Sequence, residues 1–108
     1  MLARKKCVPC EGGVPPLNAE QVEHYLKELD GWEVINNKLI KIFEFLGPQS
    51  ALDFLCASGR IANEEDHHPV TEWNYRKVKV VLYTHAINGL SENDFILAAK
   101  FDELRKNQ

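Results

Sequence analysis

The stretch Trp32-Glu33-Val34-Ile35-Asn36-Asn37-Lys38-Leu39-Ile40-Lys41-Ile42-Phe43-Glu44-Phe45-Leu46-Gly47-Pro48 decides the architecture of this chain. It reads as two strands, 32–35 and 39–46, joined through Asn36-Asn37, whose side chains tolerate the positive φ of a tight hairpin turn. In the second strand Leu39, Lys41, Phe43 and Phe45 alternate with Ile40, Ile42 and Glu44, the period of a strand with two distinct faces. Gly47-Pro48 ends the sheet segment and opens a helix with proline in its first turn.

That helix is expected to run to about Asp66. Leu52, Leu55, Cys56, Gly59 and Ala62 form one stripe, with Phe54, Ala57 and Ile61 beside it. So wide an apolar face predicts burial against the sheet and against a partner subunit. His68 precedes Pro69, and a residue before proline is pushed out of the α region, so the helix must stop at the histidine pair. Segments 70–75 and 78–84 are strand-like. In the latter, Val78, Val80, Leu82 and Thr84 share one face and Lys79, Val81, Tyr83 and His85 the other.

Upstream, Asn18-Ala19-Glu20-Gln21 has the form of a capping box, and Val22, Tyr25, Leu26 and Leu29 lie on one helical face, with Gly31 as the stop. Downstream, Asn88-Gly89 is a turn and Ser91-Glu92-Asn93-Asp94 a second capping box. Leu97, Ala98, Phe101 and Leu104 form the inward face of a last helix. The order α-β-β-α-β-β-α predicts an α+β domain over residues 17–108: a four-stranded antiparallel sheet with three helices on one face. Residues 1–16 read as an irregular lead-in.

The 108 residues can bury a core without staples, and at 44% hydrophobic and 27% charged the composition is that of a globular protein. No apolar run is long enough to span a membrane. The basic start, Met1 to Lys6, is followed by Cys7-Val8-Pro9-Cys10-Glu11-Gly12, which is no signal-peptide core, so a cytoplasmic protein is expected. Thirteen Lys and Arg, dispersed among sixteen Asp and Glu, leave no footprint for nucleic acid. Three cysteines argue against a disulfide framework. Cys7 and Cys10 are half of a zinc site without a second pair, and read as an exposed reduced tail.

The candidate chemistry is histidine. His67 and His68 follow a helix and His85 follows a strand, and imidazole exchanges protons near neutral pH. Rings around one pocket could run an acid–base reaction without a cofactor. On spacing alone other readings stay open. The pair could be helix-terminal residues favoured by the macrodipole, or, with His85 and Asp66, ligands of a metal. Asp94 is accounted for as the capping residue of the last helix. Trp73 and Tyr75 could be core or a stacking wall for a flat ring.

Glu65-Asp66-His67-His68-Pro69, Tyr75, Val78, Thr84-His85 and Gly89-Leu90-Ser91-Glu92-Asn93-Asp94 together resemble the signature of the pterin-4a-carbinolamine dehydratases. Five, nine and eight residues separate Pro69, Tyr75, His85 and Asp94. Gly31-Trp32 and Phe43-x-Phe45 are also similar to that family, over roughly residues 17–105. The resemblance implies a cofactor-free lyase that dehydrates 4a-hydroxytetrahydropterin to quinonoid dihydropterin, recycling the pterin of aromatic amino-acid hydroxylases. The wide apolar face of the long helix predicts a homodimer or homotetramer, and charge and hydropathy predict no direct nucleic-acid or membrane contacts.

By the same resemblance His67, His68 and His85 are the catalytic set: His67 and His85 as the proton-transfer pair, His68 orienting the ring. Asp66, Tyr83, Thr84 and Asn63 are substrate contacts. One position departs from the pattern. Asn63 stands where a charged residue, usually Glu, lies four before the first histidine, and is expected to face His67 across one helical turn. Glu64 is the expected partial substitute. Members of the family also serve as dimerisation cofactors for a homeodomain transcription factor, and relatives act as assembly proteins. A non-catalytic binding role is therefore the competing function, and a small metal hydrolase a third.

Overall fold

The computed structural model describes residues 1–8 and 15–107; Cys10 lies outside the described residues. Its elements are α1 (Ala19–Leu26), β1 (Glu33–Ile35), β2 (Lys38–Glu44), α2 (Pro48–Glu65), β3 (Val70–Asn74), β4 (Lys77–Leu82) and α3 (Glu92–Lys106), with 3-10 turns at Leu2–Arg4 and His85–Ile87. The predicted order α-β-β-α-β-β-α is the observed one. All strand pairs are antiparallel, in the spatial order β1-β2-β4-β3. Among the described residues no helix is long and apolar enough to cross a membrane.

Both local signals at the first hairpin hold. Asn36 and Asn37 adopt φ of 51° and 61°, and Ile35 pairs with Lys38 around them. The alternation in β2 and β4 sets the buried face: Leu39 and Phe43 lie opposite Leu82 and Val78, all buried. Against them pack Phe54 of α2 and Phe95, Leu97 and Phe101 of α3. Phe54 sits 4.6 Å from Phe43 and 5.3 Å from Phe45, ring centre to ring centre. Lys41 is the one charge in the inward row of β2. It is held by Asp102 at 2.7 Å, a carboxylate that also accepts the Trp32 indole N–H at 3.0 Å.

Four expectations shift. The inward stripe of α2 is Ala51, Phe54, Ser58 and Ala62, whereas Cys56 and Gly59 are exposed. The large Phe54 ring fixes the helix's rotation, and Ser58 is tolerated in the core because its hydroxyl donates to the Leu55 carbonyl at 3.0 Å. Helix α1 ends at Leu26, before Gly31, which takes φ +80° in the turn into β1. β3 ends at Asn74. Tyr75 belongs to the following turn, at φ 58°, and both Trp73 and Tyr75 are exposed, so neither is core. That turn is held from outside its own residues: Trp73 Nε1 donates to the Tyr75 carbonyl at 2.9 Å and the Phe45 N–H to the Arg76 carbonyl at 2.8 Å.

The fourth concerns the start of the chain. Leu2 is buried, and Cys7 is half-buried rather than an exposed tail. Burial, and next the nearby Glu65 carboxylate, push the Cys7 thiol from its ordinary 9.0 up to about 12. Because it is the thiolate that burial penalises, the folded chain is unaffected below about pH 9 and loses stability as pH climbs toward 12. At pH 8 Cys7 is therefore a neutral, shielded thiol. Alkylation by iodoacetamide should be at least about 10-fold slower at Cys7 than at exposed Cys56, read by peptide mass mapping. Equal rates would contradict this packing.

Candidate active site

Three element ends meet at one carboxylate. Helix α2 stops at Asp66, whose αL conformation (φ 51°) is the C-cap, and the chain turns so that His67 points inward. Beyond β4, Thr84 forms an antiparallel bridge with Gly89, its N–H donating to the Gly89 carbonyl at 2.8 Å. Gly89 has no room for a side chain, since a Cβ there would lie 2.7 Å from Pro16 Cβ. Asn88 at φ 50° closes the loop, and Ser91 then caps α3.

Asp94, third residue of α3, is fully buried. Its Oδ1 lies 2.6 Å from His67 Nε2, and its Oδ2 accepts the Thr84 hydroxyl at 2.8 Å and the Ser91 N–H at 3.0 Å. Thr84 Oγ1 is also 2.6 Å from Ser91 Oγ. With the Thr84 proton given to Asp94, Ser91 is the donor of that bond. The carboxylate thus carries the capping role expected of it and a second role that the capping pattern hid. The only advance signal was the spacing of Asp94 from the histidines in the family-like signature. Among the described residues no buried side-chain nitrogen or oxygen lacks a partner.

The predicted residues do not form one cluster. His67 is nearly enclosed, its side chain 12% exposed, and joins Asp94 and Thr84. Thr84 itself is buried and its hydroxyl is spent on Asp94 and Ser91, so it supports the carboxylate rather than facing open space. His68 turns the other way, with Nε2 2.9 Å from Asn63 Oδ1. Asn63 therefore faces His68 and not His67, which corrects the expectation from helical spacing. The i to i+4 relation lapses because Asp66 leaves the helix. Glu64 makes no hydrogen bond to either histidine.

His85 is exposed on its 3-10 turn, its ring edge-on to Tyr83 at 6.1 Å. The Lys38 ammonium sits 4.8 Å from the centre of the Tyr83 ring. Asp66 is exposed. Between α2 and β3 runs a cleft of about 520 Å³ whose walls include Cys56, Gly59, Asn63, His68, Pro69 and Thr71. His67 and His85 do not line it. Among the described residues no three His, Cys, Asp or Glu side chains converge to hold a metal ion.

The sequence profile of the family described as pterin 4 alpha carbinolamine dehydratase matches residues 15–104. A relative from Rubrobacter xylanophilus, named for that activity, is 44% identical over 104 residues, covering 95% of this chain and 97% of its own. One from Nitrosomonas eutropha, named likewise, is 47% identical over 104 residues, covering 95% and 92%. The crystal structure of a transcriptional coactivator/pterin dehydratase from Brucella melitensis superposes with a TM-score of 0.80 at 30% identity, covering 82% of this chain and 97% of that one.

The Thr84 hydroxyl is one of three donors to a buried charge. Thr84→Val should cost about 1–3 kcal/mol, the usual effect of removing one partner from a buried group. The urea midpoint should fall with an unchanged m-value. An unmoved midpoint would mean that Asp94 does not need this bond.

Proposed function

The chain belongs to the pterin-4a-carbinolamine dehydratase family, and on that premise we propose that it is a working dehydratase. Its substrate is 4a-hydroxytetrahydropterin, which loses water to give quinonoid dihydropterin, in support of aromatic amino-acid hydroxylases. The observation that carries this reading is the 2.6 Å contact between His67 Nε2 and the buried Asp94 carboxylate.

Expelling the C4a hydroxyl as water requires a proton on its oxygen, and a base must remove the ring proton. An ionised Asp94 accepts the His67 Nε2–H, which leaves Nδ1 for proton exchange and stabilises the ring while it carries positive charge. That suits His67 to the acid step. His85, exposed at the end of β4, is the second member of the transfer pair. His68, steadied by the Asn63 amide, orients the pterin. Asp66 and Tyr83 contact the substrate, and Thr84 acts through Asp94. Protein side chains supply both proton transfers, so no cofactor enters. A homodimer or homotetramer belongs to the same reading, since Ile42, Val70, Trp73 and Tyr75 on and beside the sheet leave apolar side chains exposed.

The competing reading is a binding protein of the same fold, a role that the Brucella protein's description pairs with pterin dehydratase. Retention of all three histidines, with Asn63 and Asp94 engaged on two of them, favours the enzyme. The deciding experiment is turnover of 4a-hydroxytetrahydropterin generated in situ. The wild-type protein should accelerate dehydration with and without a chelator. His67→Ala and His85→Ala should each lower kcat/KM by about 10²–10⁴-fold, with little loss of stability. No acceleration by the wild-type chain would overturn the enzymatic reading in favour of the binding one.

A further inference from the structure

His67 and Asp94 lie just beyond the end of α2 and in the first turn of α3, and residues 2–8 join these two places. The Cys7 N–H donates to Glu65 Oε1 at 2.8 Å, two residues before His67. Asn93, immediately before Asp94, pairs with the backbone of Val8 in both directions. Its Oδ1 accepts the Val8 N–H at 3.0 Å and its Nδ2 donates to the Val8 carbonyl at 2.6 Å. Cys7 Sγ lies 3.7 Å from the Asn93 carbonyl. Asn93 is 4% exposed and the Glu65 side chain 7%. The same segment is anchored further back, where Lys100 Nζ donates to the Ala3 carbonyl at 2.9 Å and Leu2 is buried in the core.

We propose that Asn93 and Glu65 are positioning residues of the reaction: through Cys7 and Val8 they clamp the end of α2 to the start of α3 and so hold His67 at bonding distance from Asp94. This rests on the reading that the His67–Asp94 pair does chemistry. A hydrogen bond of 2.6 Å is sensitive to small displacements, and an error near 1 Å at a reacting group costs on the order of 10²-fold in rate. The clamp bonds are part-buried, with their Asn93 and Glu65 ends enclosed, and an amide paired in both directions there is hard to replace by water. The Lys5–Glu92 ion pair on the same segment is different, with side chains 53% and 37% exposed, and such a surface pair contributes little.

The test uses the full chain and a double-mutant cycle. Asn93→Ala, Glu65→Ala, Glu65→Gln and Lys5→Ala are assayed with carbinolamine generated in situ, below any unfolding transition. Asn93→Ala and Glu65→Ala are repeated in an Asp94→Asn background. In the wild-type background both alanine variants should lower kcat about 10-fold and leave KM within about 2-fold. Glu65→Gln, whose amide oxygen still accepts the Cys7 N–H, should keep most of the rate, and Lys5→Ala should match wild type. In the Asp94→Asn background the same alanine substitutions should change kcat by less than about 2-fold, because residues that act as a unit are non-additive.

Equal losses in both backgrounds, or none in either, would overturn the clamp. If Asn93→Ala does not fold, the Glu65→Ala and Glu65→Gln pair carries the same test. Full activity in Asp94→Asn alone would refute the parent reading, and the clamp with it. A loss in Asp94→Asn with none in Asn93→Ala and Glu65→Ala would refute the clamp only.

Discussion

Everything at this site depends on placing one carboxylate out of water. An unpaired charge at a fully buried position would cost several kcal/mol. Asp94 avoids that by accepting three hydrogen bonds from three parts of the chain: His67 after α2, Thr84 after β4 and the Ser91 N–H that begins α3. Charge-assisted bonds of this kind are each worth about 1.5–3 kcal/mol. Together they offset the desolvation only while all three ends stay in register. The register of β4 against β2, which puts Val78, Val80 and Leu82 inward, also brings Thr84 inward two residues later. Sheet, helix end and helix start are thus conditions on one another.

What could be read in advance was what is decided locally. The Asn36-Asn37 hairpin, the alternation of β2 and β4 and the two capping boxes follow from near-neighbour geometry, and the structure shows them where the residues pointed. What could not be read depends on distant packing. The rotation of α2 about its axis was ambiguous because Leu52, Leu55 and Phe54 all compete for the inside, and only the rings of Phe43 and Phe45 decide for Phe54. Tyr75 takes a left-handed conformation that tyrosine disfavours, and the bonds flanking that turn come from Trp73 and Phe45.

Asp94 shows a subtler failure. The capping pattern explains its presence completely, so nothing in the local pattern asks for more. A carboxylate has two oxygens, however, and the cap occupies only Oδ2. The other meets a histidine 27 residues earlier in the chain. One local explanation of a polar residue therefore does not exhaust its bonding capacity. The same holds for Asn93, which stands inside the capping segment yet bonds residues at the far N-terminal end.

The departure at position 63 takes on a different meaning once Asp66 is seen to leave the helix. Had α2 continued, residues 63 and 67 would share a face, and the loss of a carboxylate at 63 would remove the charge beside His67. The αL turn at Asp66 sends His67 toward α3 and returns His68 to Asn63. The negative charge at His67 is therefore supplied by Asp94, through a bond that position 63 does not touch. What Asn63 governs is how firmly, and with what charge, His68 is held at the edge of the α2–β3 cleft. A neutral amide there fixes an exposed ring by a single bond, and the charge beside His67 comes from the fully buried Asp94.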